Sequence, residues 1–339
     1  RVFTQGQEEV YEGIGSAMLQ SFLQGYNVCL FAYGQTGSGK THSLMGAPDA
    51  EGIIPRLSKE LMQHTEERLG ECPNLSIKIT MSYIEIYNEK VRDLLEKKPK
   101  GDEQTSLSLY ERDGRVLVHG LSTHQVINTQ KIAQLLAAGT ARRQTSGTNM
   151  NETSSRSHSI VQLMMTQTYD PPEPGCRDVE STITLVDLAG SERISKADLV
   201  GHHIEESKKI NQSLLCLGRA LNHFSQLNTH TTEKVPFLRS SKLTRLLSDC
   251  FGGNSRTWML ATVSPSLYNL TETISTLEYA QSAKRIINTA KVNRVERAME
   301  VKELREKVRL LNEEVERLLA ESHERTLEQE SSVQWEEYA

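Results

Sequence analysis

The stretch from Val28 to Thr41 constrains the fold of this chain more than any other. Val28-Cys29-Leu30-Phe31-Ala32-Tyr33 is a short apolar run with the length and composition of a buried strand. It leads directly into Gly34-Gln35-Thr36-Gly37-Ser38-Gly39-Lys40-Thr41, which fits the G-x-x-x-x-G-K-[ST] pattern in the strand context that the pattern requires. Its glycines let the backbone curl so that successive N–H groups face a phosphate. Lys40 would reach the β- and γ-phosphates and the Thr41 hydroxyl would hold Mg²⁺. The helix that follows, with His42 in its first turn, would add its positive end. A Gly-rich turn without function is the competing reading, and the strand in front speaks against it. The expectation is a nucleoside triphosphate site.

At 339 residues the chain has room for one large domain or two ordinary ones. Cys29, Cys72, Cys176, Cys216 and Cys250 show no paired spacing, which argues against a disulfide framework or a zinc site. No apolar run approaches the ~20 residues that span a bilayer and no signal peptide opens the chain, so a soluble, intracellular protein without a transmembrane segment is expected. The net charge of -5 hides an asymmetry, because residues 295–339 hold 13 Glu against 7 Lys plus Arg and leave the body nearly neutral. Such a body binds an acidic partner only if its cations cluster on one face.

Helical spacing of Val10, Ile14, Met18, Leu19 and Phe22 predicts a helix ahead of the phosphate loop. Gly52-Ile53-Ile54-Pro55 reads as a breaker before a helix over 56–69. A strand over 77–86, a short helix over 87–95, a polar loop at 97–104, two short strands near Leu107 and Val116 and a helix over 129–140 follow. Strands at 159–168, 181–186 and 258–263, with helices between, complete the alternation. This predicts an α/β fold with a central, largely β sheet, helices on both faces and an end near Lys284.

Two more loops bear on the same site. Asn151-Glu152-Thr153-Ser154-Ser155-Arg156-Ser157-His158 gathers hydroxyls, an amide and an arginine before a strand; a plain polar turn is the alternative. Thr184-Leu185-Val186-Asp187-Leu188-Ala189-Gly190-Ser191-Glu192 ends an apolar strand in an acid, where a phosphate-loop fold places the carboxylate that holds Mg²⁺ through water. Gly190 would let its N–H approach a γ-phosphate. A lone Asp after a strand is otherwise a helix cap.

These three loops, in this order, resemble the phosphate loop, first switch and second switch of the kinesin motor domain. Tyr83-Ile84-Glu85-Ile86-Tyr87-Asn88-Glu89, Lys209-Ile210-Asn211-Gln212-Ser213-Leu214, Ser241-Lys242-Leu243-Thr244-Arg245-Leu246-Leu247 and Ser275-Thr276-Leu277-Glu278-Tyr279-Ala280 extend the match over the body. Gly25-Tyr26-Asn27-Val28-Cys29, Thr148-Asn149-Met150-Asn151 and Lys302-Glu303-Leu304-Arg305-Glu306 look most like the third kinesin family, the vesicle-transport type. The resemblance implies a P-loop ATPase that binds ATP, ADP and Mg²⁺ and is stimulated by microtubules. Ser155 would join Thr41 on the metal, Ser154 would help to hold the attacking water, and Arg156 and Glu192 would pair to close both switches. A cytoplasmic, cytoskeletal location and no nucleic-acid partner go with it. A myosin-type engine, a catalytically decayed microtubule scaffold and a filament-end depolymerase are the alternatives.

By the same resemblance residues 1–285 are the motor domain, with the family's first strand expected to be missing; it would face the adenine. Residues 286–298 are the neck linker, which docks on the body when ATP binds, the arrangement of plus-end-directed motors. Residues 299–325 are a neck helix and 326–339 a flexible tail. The helix over 201–227 would lie on tubulin, with Arg112, Arg115, Arg193, Lys196, Lys208, Lys209, Arg239, Lys242 and Arg245 as candidate contacts. Gln212, a longer run at Val235–Arg239 and a loop at 228–234 with one lysine depart from the family pattern. Val301, Leu304, Val308, Leu311, Val315 and Leu318 form a heptad seam with β-branched residues at a and Leu at d, suited to a parallel homodimer. The seam is short, and a helix folded back on the body is the alternative.

Overall fold

Strand β1 (Val28–Tyr33) is buried along its whole length and divides two cores. Val28, Leu30 and Ala32 belong to one cluster, and Cys29, Phe31 and Tyr33 to the other. Strand side chains alternate between faces, so a run buried at every position lies in a sheet covered on both sides. The computed structural model describes residues 1–96, 106–112, 114–145, 155–170, 178–192, 203–226, 236–294 and 306–319, with the backbone alone at 203–208, 210, 211 and 236.

Helix α1 (Gln7–Val10) runs through a π-helical turn at Tyr11–Gly15 into α2 (Ser16–Leu23), and β1 follows. After the glycine loop come α3 (Lys40–Met45), the small pair β2 (Gly46–Ala47) and β3 (Ala50–Glu51), and α4 (Ile53–Glu71). Next are β4 (Leu75–Tyr87), β5 (Lys90–Asp93), the hairpin β6 (Leu109–Arg112) and β7 (Arg115–Val118), and β8 (His124–Val126). Helix α5 (Thr129–Thr145) leads to β9 (His158–Tyr169) and β10 (Val179–Asp187). The unit closes with α6 (His203–Gln226), α7 (Lys242–Leu246), β11 (Arg256–Ala261) and α8 (Leu270–Ala283).

The sheet runs β11-β1-β10-β9-β4-β5, with β8 beside β4. Strand β1 is parallel to β10 and β11, whereas β9 is antiparallel to both its neighbours. Helices α2, α4 and α5 cover one face through Phe22, Leu57, Leu61, Ile132 and Leu136. On the other, α6 and α7 bring Leu214, Leu217, Leu221 and Leu243. Ser159 of β9 pairs with Glu85 on one side and Asp187 on the other, which sets three polar side chains in one row beneath the phosphate loop.

Two expectations need correction. Residues 87–95 are not helical: Asn88 and Glu89 take positive φ of 53° and 57°, and the chain doubles back as β5 with Tyr87 opposite Lys90. A two-residue turn of this hand matches the twist of a hairpin and outweighs the helix-like spacing of Val91, Leu94 and Leu95. Gly52–Pro55 starts α4 rather than preceding it, because a first-turn proline lacks an N–H that would be unpaired anyway. The first compact unit runs to Arg294, with Asn288, Val292 and Asn293, in the stretch expected to be the neck linker, bonded to Ser255, Tyr26 and Asn27.

The second unit is Val295–Ala339. Its described part is a helix over 306–319, exposed at every position, with Arg309 bridging Glu306 and Glu313 along its surface. Val301, Leu304 and the expected tail at 326–339 lie outside the described residues. Among the described residues no helix is long and apolar enough to cross a membrane.

Candidate functional site

The loop from Gly34 to Gly39 turns sharply enough to deliver Lys40 back over itself. Gly39 enters α3 at φ 102°, a left-handed backbone that a side chain would strain. Lys40 is 7% exposed, and its Nζ donates to the carbonyls of Gly34 and Gln35, each at 2.8 Å. Burial pulls its pKa below the usual lysine range, opposed by the carboxylates of Asp187 and Glu192. Ser38 Oγ donates to the Gln35 carbonyl at 2.8 Å and stands 2.7 Å from Thr262 Oγ1 beyond the end of β11. Gly37 takes φ 78°. His42 is exposed one residue past Thr41, and its carbonyl accepts from Gln7.

Asp187 closes the loop from the far side. Its Oδ2 accepts the Thr41 hydroxyl at 2.8 Å and Arg143 Nη1 at 3.1 Å. Its Oδ1 is buried without a hydrogen-bond partner. A carboxylate oxygen in that condition calls for a cation or a water. With the Thr41 hydroxyl beside it, the donor set is all oxygen, which suits Mg²⁺. Among the described residues no three His, Cys, Asp or Glu side chains converge as a metal site.

The segment after Asp187 is pinned by consecutive backbone donors. The N–H groups of Leu188, Gly190 and Ser191 reach the carbonyls of Ala32, Ser155 and Gly34, at 3.4, 2.9 and 3.1 Å. A Cβ on Gly190 would meet the Thr36 hydroxyl and both Glu192 carboxylate oxygens within 2.4 Å, so a larger residue there would push the Glu192 carboxylate from its present place. The Gly190 N–H expected to face a phosphate is therefore held by Ser155. Glu192 likewise accepts from the N–H and hydroxyl of Thr36 rather than from Arg156. In place of the pair expected between Arg156 and Glu192, Glu192 here joins the second switch to the phosphate loop. Ser155 and Arg156 sit half-buried within the first switch, and Ser154 lies outside the described residues.

Arg143 and Glu85 complete the site, and sequence reasoning missed both. Arg143 is 6% exposed and bonds Ser157 Oγ, the Ser157 carbonyl and Ser159 Oγ as well as Asp187. Its Nε lies 4.0 Å from Glu85 Oε1, and Arg92 Nη1 lies 3.4 Å from Glu85 Oε2. The signals were there. Arg143 continues the buried helical stripe Ile132, Leu135, Leu136 and Gly139, and Glu85 interrupts an apolar run between Ile84 and Ile86.

Of the candidate track contacts, Arg115 bonds Glu180 and Asn293, and Arg239 bonds Glu111. Lys209 is exposed on α6. Arg193 and Lys196 lie outside the described residues.

Residues 1–286 match the family described as the kinesin motor domain. The chain is 45% identical over 316 residues to the kinesin-like protein KIF13A of Mus musculus, covering 91% of this chain and 18% of that relative. It is 40% identical over 309 residues to KIF16B of Homo sapiens, covering 89% of this chain and 23% of the relative. The chain thus spans less than a quarter of the length of these relatives. Among solved structures, a KIF14 dimer in a two-heads-bound state, with AMP-PNP and in complex with a microtubule, matches with a TM-score of 0.79 at 42% identity, over 88% of this chain and 82% of that one. A fast kinesin matches with a TM-score of 0.75 at 37% identity, over 86% and 80%. The mixed sheet with helices on both faces is the fold of these proteins.

Proposed function

The chain belongs to the kinesin motor-domain family, most like its third branch, and on that premise we propose that it hydrolyses ATP to move along microtubules in the cytoplasm. The observation that carries this reading is the Thr41–Asp187 contact with the orphaned Asp187 Oδ1 beside the phosphate loop. Mg²⁺ bound there with ATP would neutralise charge on the β- and γ-phosphates. Lys40 exchanges the Gly34 and Gln35 carbonyls for phosphate oxygens. Thr41 and Ser155 would offer hydroxyls to the metal, and Asp187 would hold it through water. Ser154 orients the attacking water, Gly190 turns its N–H to the γ-phosphate, and Glu192 leaves Thr36 to pair with Arg156. Phosphoryl transfer asks for this positioning and charge neutralisation more than for covalent chemistry. The KIF14 structure with AMP-PNP on a microtubule supports both ligand classes.

The partner surface is α6 and α7 with Lys209, Lys242 and Arg245, which meet the acidic face of the microtubule. Residues 286–298 act as the neck linker. Val308, Leu311, Val315 and Leu318 are each more than half exposed on the helix over 306–319, the face through which two chains pair as a homodimer. Mass measured on dilution tests that pairing.

The deciding experiment is steady-state ATP turnover with and without taxol-stabilised microtubules at two salt concentrations. Strong stimulation that weakens with salt is expected. Tight microtubule binding without stimulated turnover would replace the motor by a nucleotide-dependent scaffold.

A further inference from the structure

Beneath the nucleotide loops lies an imidazole with no role in the chemistry just described. His158, the first residue of β9, is 2% exposed. Its Nδ1 accepts the Ala189 backbone N–H at 2.9 Å, and its Nε2 stands 2.7 Å from the hydroxyl of Ser213 on α6. Because a donor occupies Nδ1, the neutral ring carries its proton on Nε2 and Ser213 Oγ accepts it. Burial, reinforced by the Arg143 and Lys40 cations, lowers the ring's pKa to about 3 and keeps it neutral.

The position of this side chain matters because of what flanks each end. Ala189 sits between Leu188 and Gly190, whose N–H groups bind the carbonyls of Ala32 on β1 and Ser155 on the first switch. Ser213 is 2% exposed and directly precedes Leu214, which with Leu217 and Leu221 packs α6 against Phe31, Val186 and Leu188. Apolar packing has little directionality and lets a helix slide by an ångström at small cost, whereas a hydrogen bond weakens steeply with misalignment. The His158–Ser213 bond is thus a directional link from α6 to the backbone beside Gly190.

The geometry points to His158 as a positioning residue that couples α6 to the Asp187–Ser191 segment through Ser213. Engagement of α6 by an acidic polymer then sets how that segment is placed for hydrolysis. This rests on the motor reading above and adds the route by which the track reaches the site.

Three variants test it. Ser213→Ala deletes the acceptor and leaves the Ala189 contact. Ser213→Thr retains a hydroxyl. His158→Asn keeps an acceptor oxygen near the place of Nδ1 and deletes Nε2. Ser213→Ala should lower maximal microtubule-stimulated turnover by roughly threefold to tenfold while basal turnover stays within about twofold. Ser213→Thr should restore it, and the Ser213→Ala/His158→Asn double variant should lose no more stimulation than Ser213→Ala, as members of one link do. The inference is overturned if Ser213→Ala is stimulated normally, if Ser213→Thr falls with it, or if basal and stimulated rates drop in proportion. Unstimulated wild-type protein would sink the motor reading instead. Amide exchange without microtubules then still judges the link: Ser213→Ala should speed exchange at Ala189, and an unchanged rate overturns the coupling.

Discussion

Glu192 holds Thr36 at two points, accepting its backbone N–H at 2.7 Å and its hydroxyl at 2.5 Å. The second switch is thereby tied to the phosphate loop, and the proposed pairing of Glu192 with Arg156 would have to draw on these bonds. Glu192→Ala removes both arrangements. ATP should still bind, because Lys40 and Thr41 are untouched, while turnover falls by about a hundredfold or more. Single-turnover hydrolysis beside an equilibrium binding measurement checks this, and normal turnover would take Glu192 out of the mechanism.

Lys40→Ala tests the loop itself. The buried ammonium satisfies two carbonyls and, in the proposed function, is the charge that meets the phosphates. Its removal should abolish tight nucleotide binding, and leaving the Gly34 and Gln35 carbonyls without a donor should cost about 1–3 kcal/mol of stability. A fluorescent nucleotide titration and a thermal melt read the two effects separately.

Arg143 lies between two buried carboxylates, Asp187 and Glu85. Arg143→Met leaves Asp187 without this cation and Glu85 with Arg92 alone, and should destabilise the protein by about 3–5 kcal/mol. Adding Glu85→Gln removes one of the two buried carboxylate charges and should recover part of the loss. A double variant no more stable than Arg143→Met alone would show that Glu85 does not depend on Arg143.

The parts of the site that a reader of the sequence can find are those whose function is local. Gly34–Thr41 and Asp187–Glu192 are contiguous stretches whose backbone shape and chemistry are fixed within a few residues. Arg143, Glu85 and His158 depend on register instead. Only the placement of β9 between β10 and β4 sets Ser159 between Asp187 and Glu85, and that pairing joins residues far apart in the chain. The misread helix over 87–95 has a related cause. Its apolar spacing suits either period, and the left-handed turn at Asn88 and Glu89 decided between them.

His158 gives the protein a pH signature. Its pKa is about 3 in the fold against an ordinary 6.5. Between those values the unfolded chain binds a proton that the native ring refuses, so stability is complete above pH 6.5 and is lost as pH falls. The loss is about 1.4 kcal/mol per pH unit. Between about pH 5 and 6.5 ordinary carboxylates have little part in it. His158→Asn should flatten the melting temperature across that window, and an unchanged slope would show that another group is responsible.

Asn293 fastens the segment after α8 to the body with its whole side chain. Its Nδ2 donates to Asn27 Oδ1 at 2.9 Å and to the Gly25 carbonyl at 3.4 Å. Its Oδ1 accepts from Asn254 Nδ2 at 2.7 Å and from Arg115 Nη2 at 3.3 Å. An amide has two donors and two acceptor lone pairs, so this residue is saturated, and replacements for it are few. The backbone adds two bonds, from the Asn293 N–H to the Gly25 carbonyl and from the Glu180 N–H to the Asn293 carbonyl, both at 3.0 Å. Next to it Val292 bridges Tyr26, whose ring carries the Arg256 guanidinium 3.7 Å from its centroid. Asn293→Ala deletes the four side-chain bonds and spares the two backbone ones. Docking should weaken by about 1–3 kcal/mol, raising amide exchange at Val292 and Asn293 roughly tenfold or more. Asn293→Asp keeps the acceptors and loses the donors, and should fall between. Because none of these atoms touches the phosphate loop, basal ATP turnover should hold while gliding speed drops. Exchange that is unchanged in both variants would mean that the backbone bonds alone hold the segment and that the asparagine is dispensable.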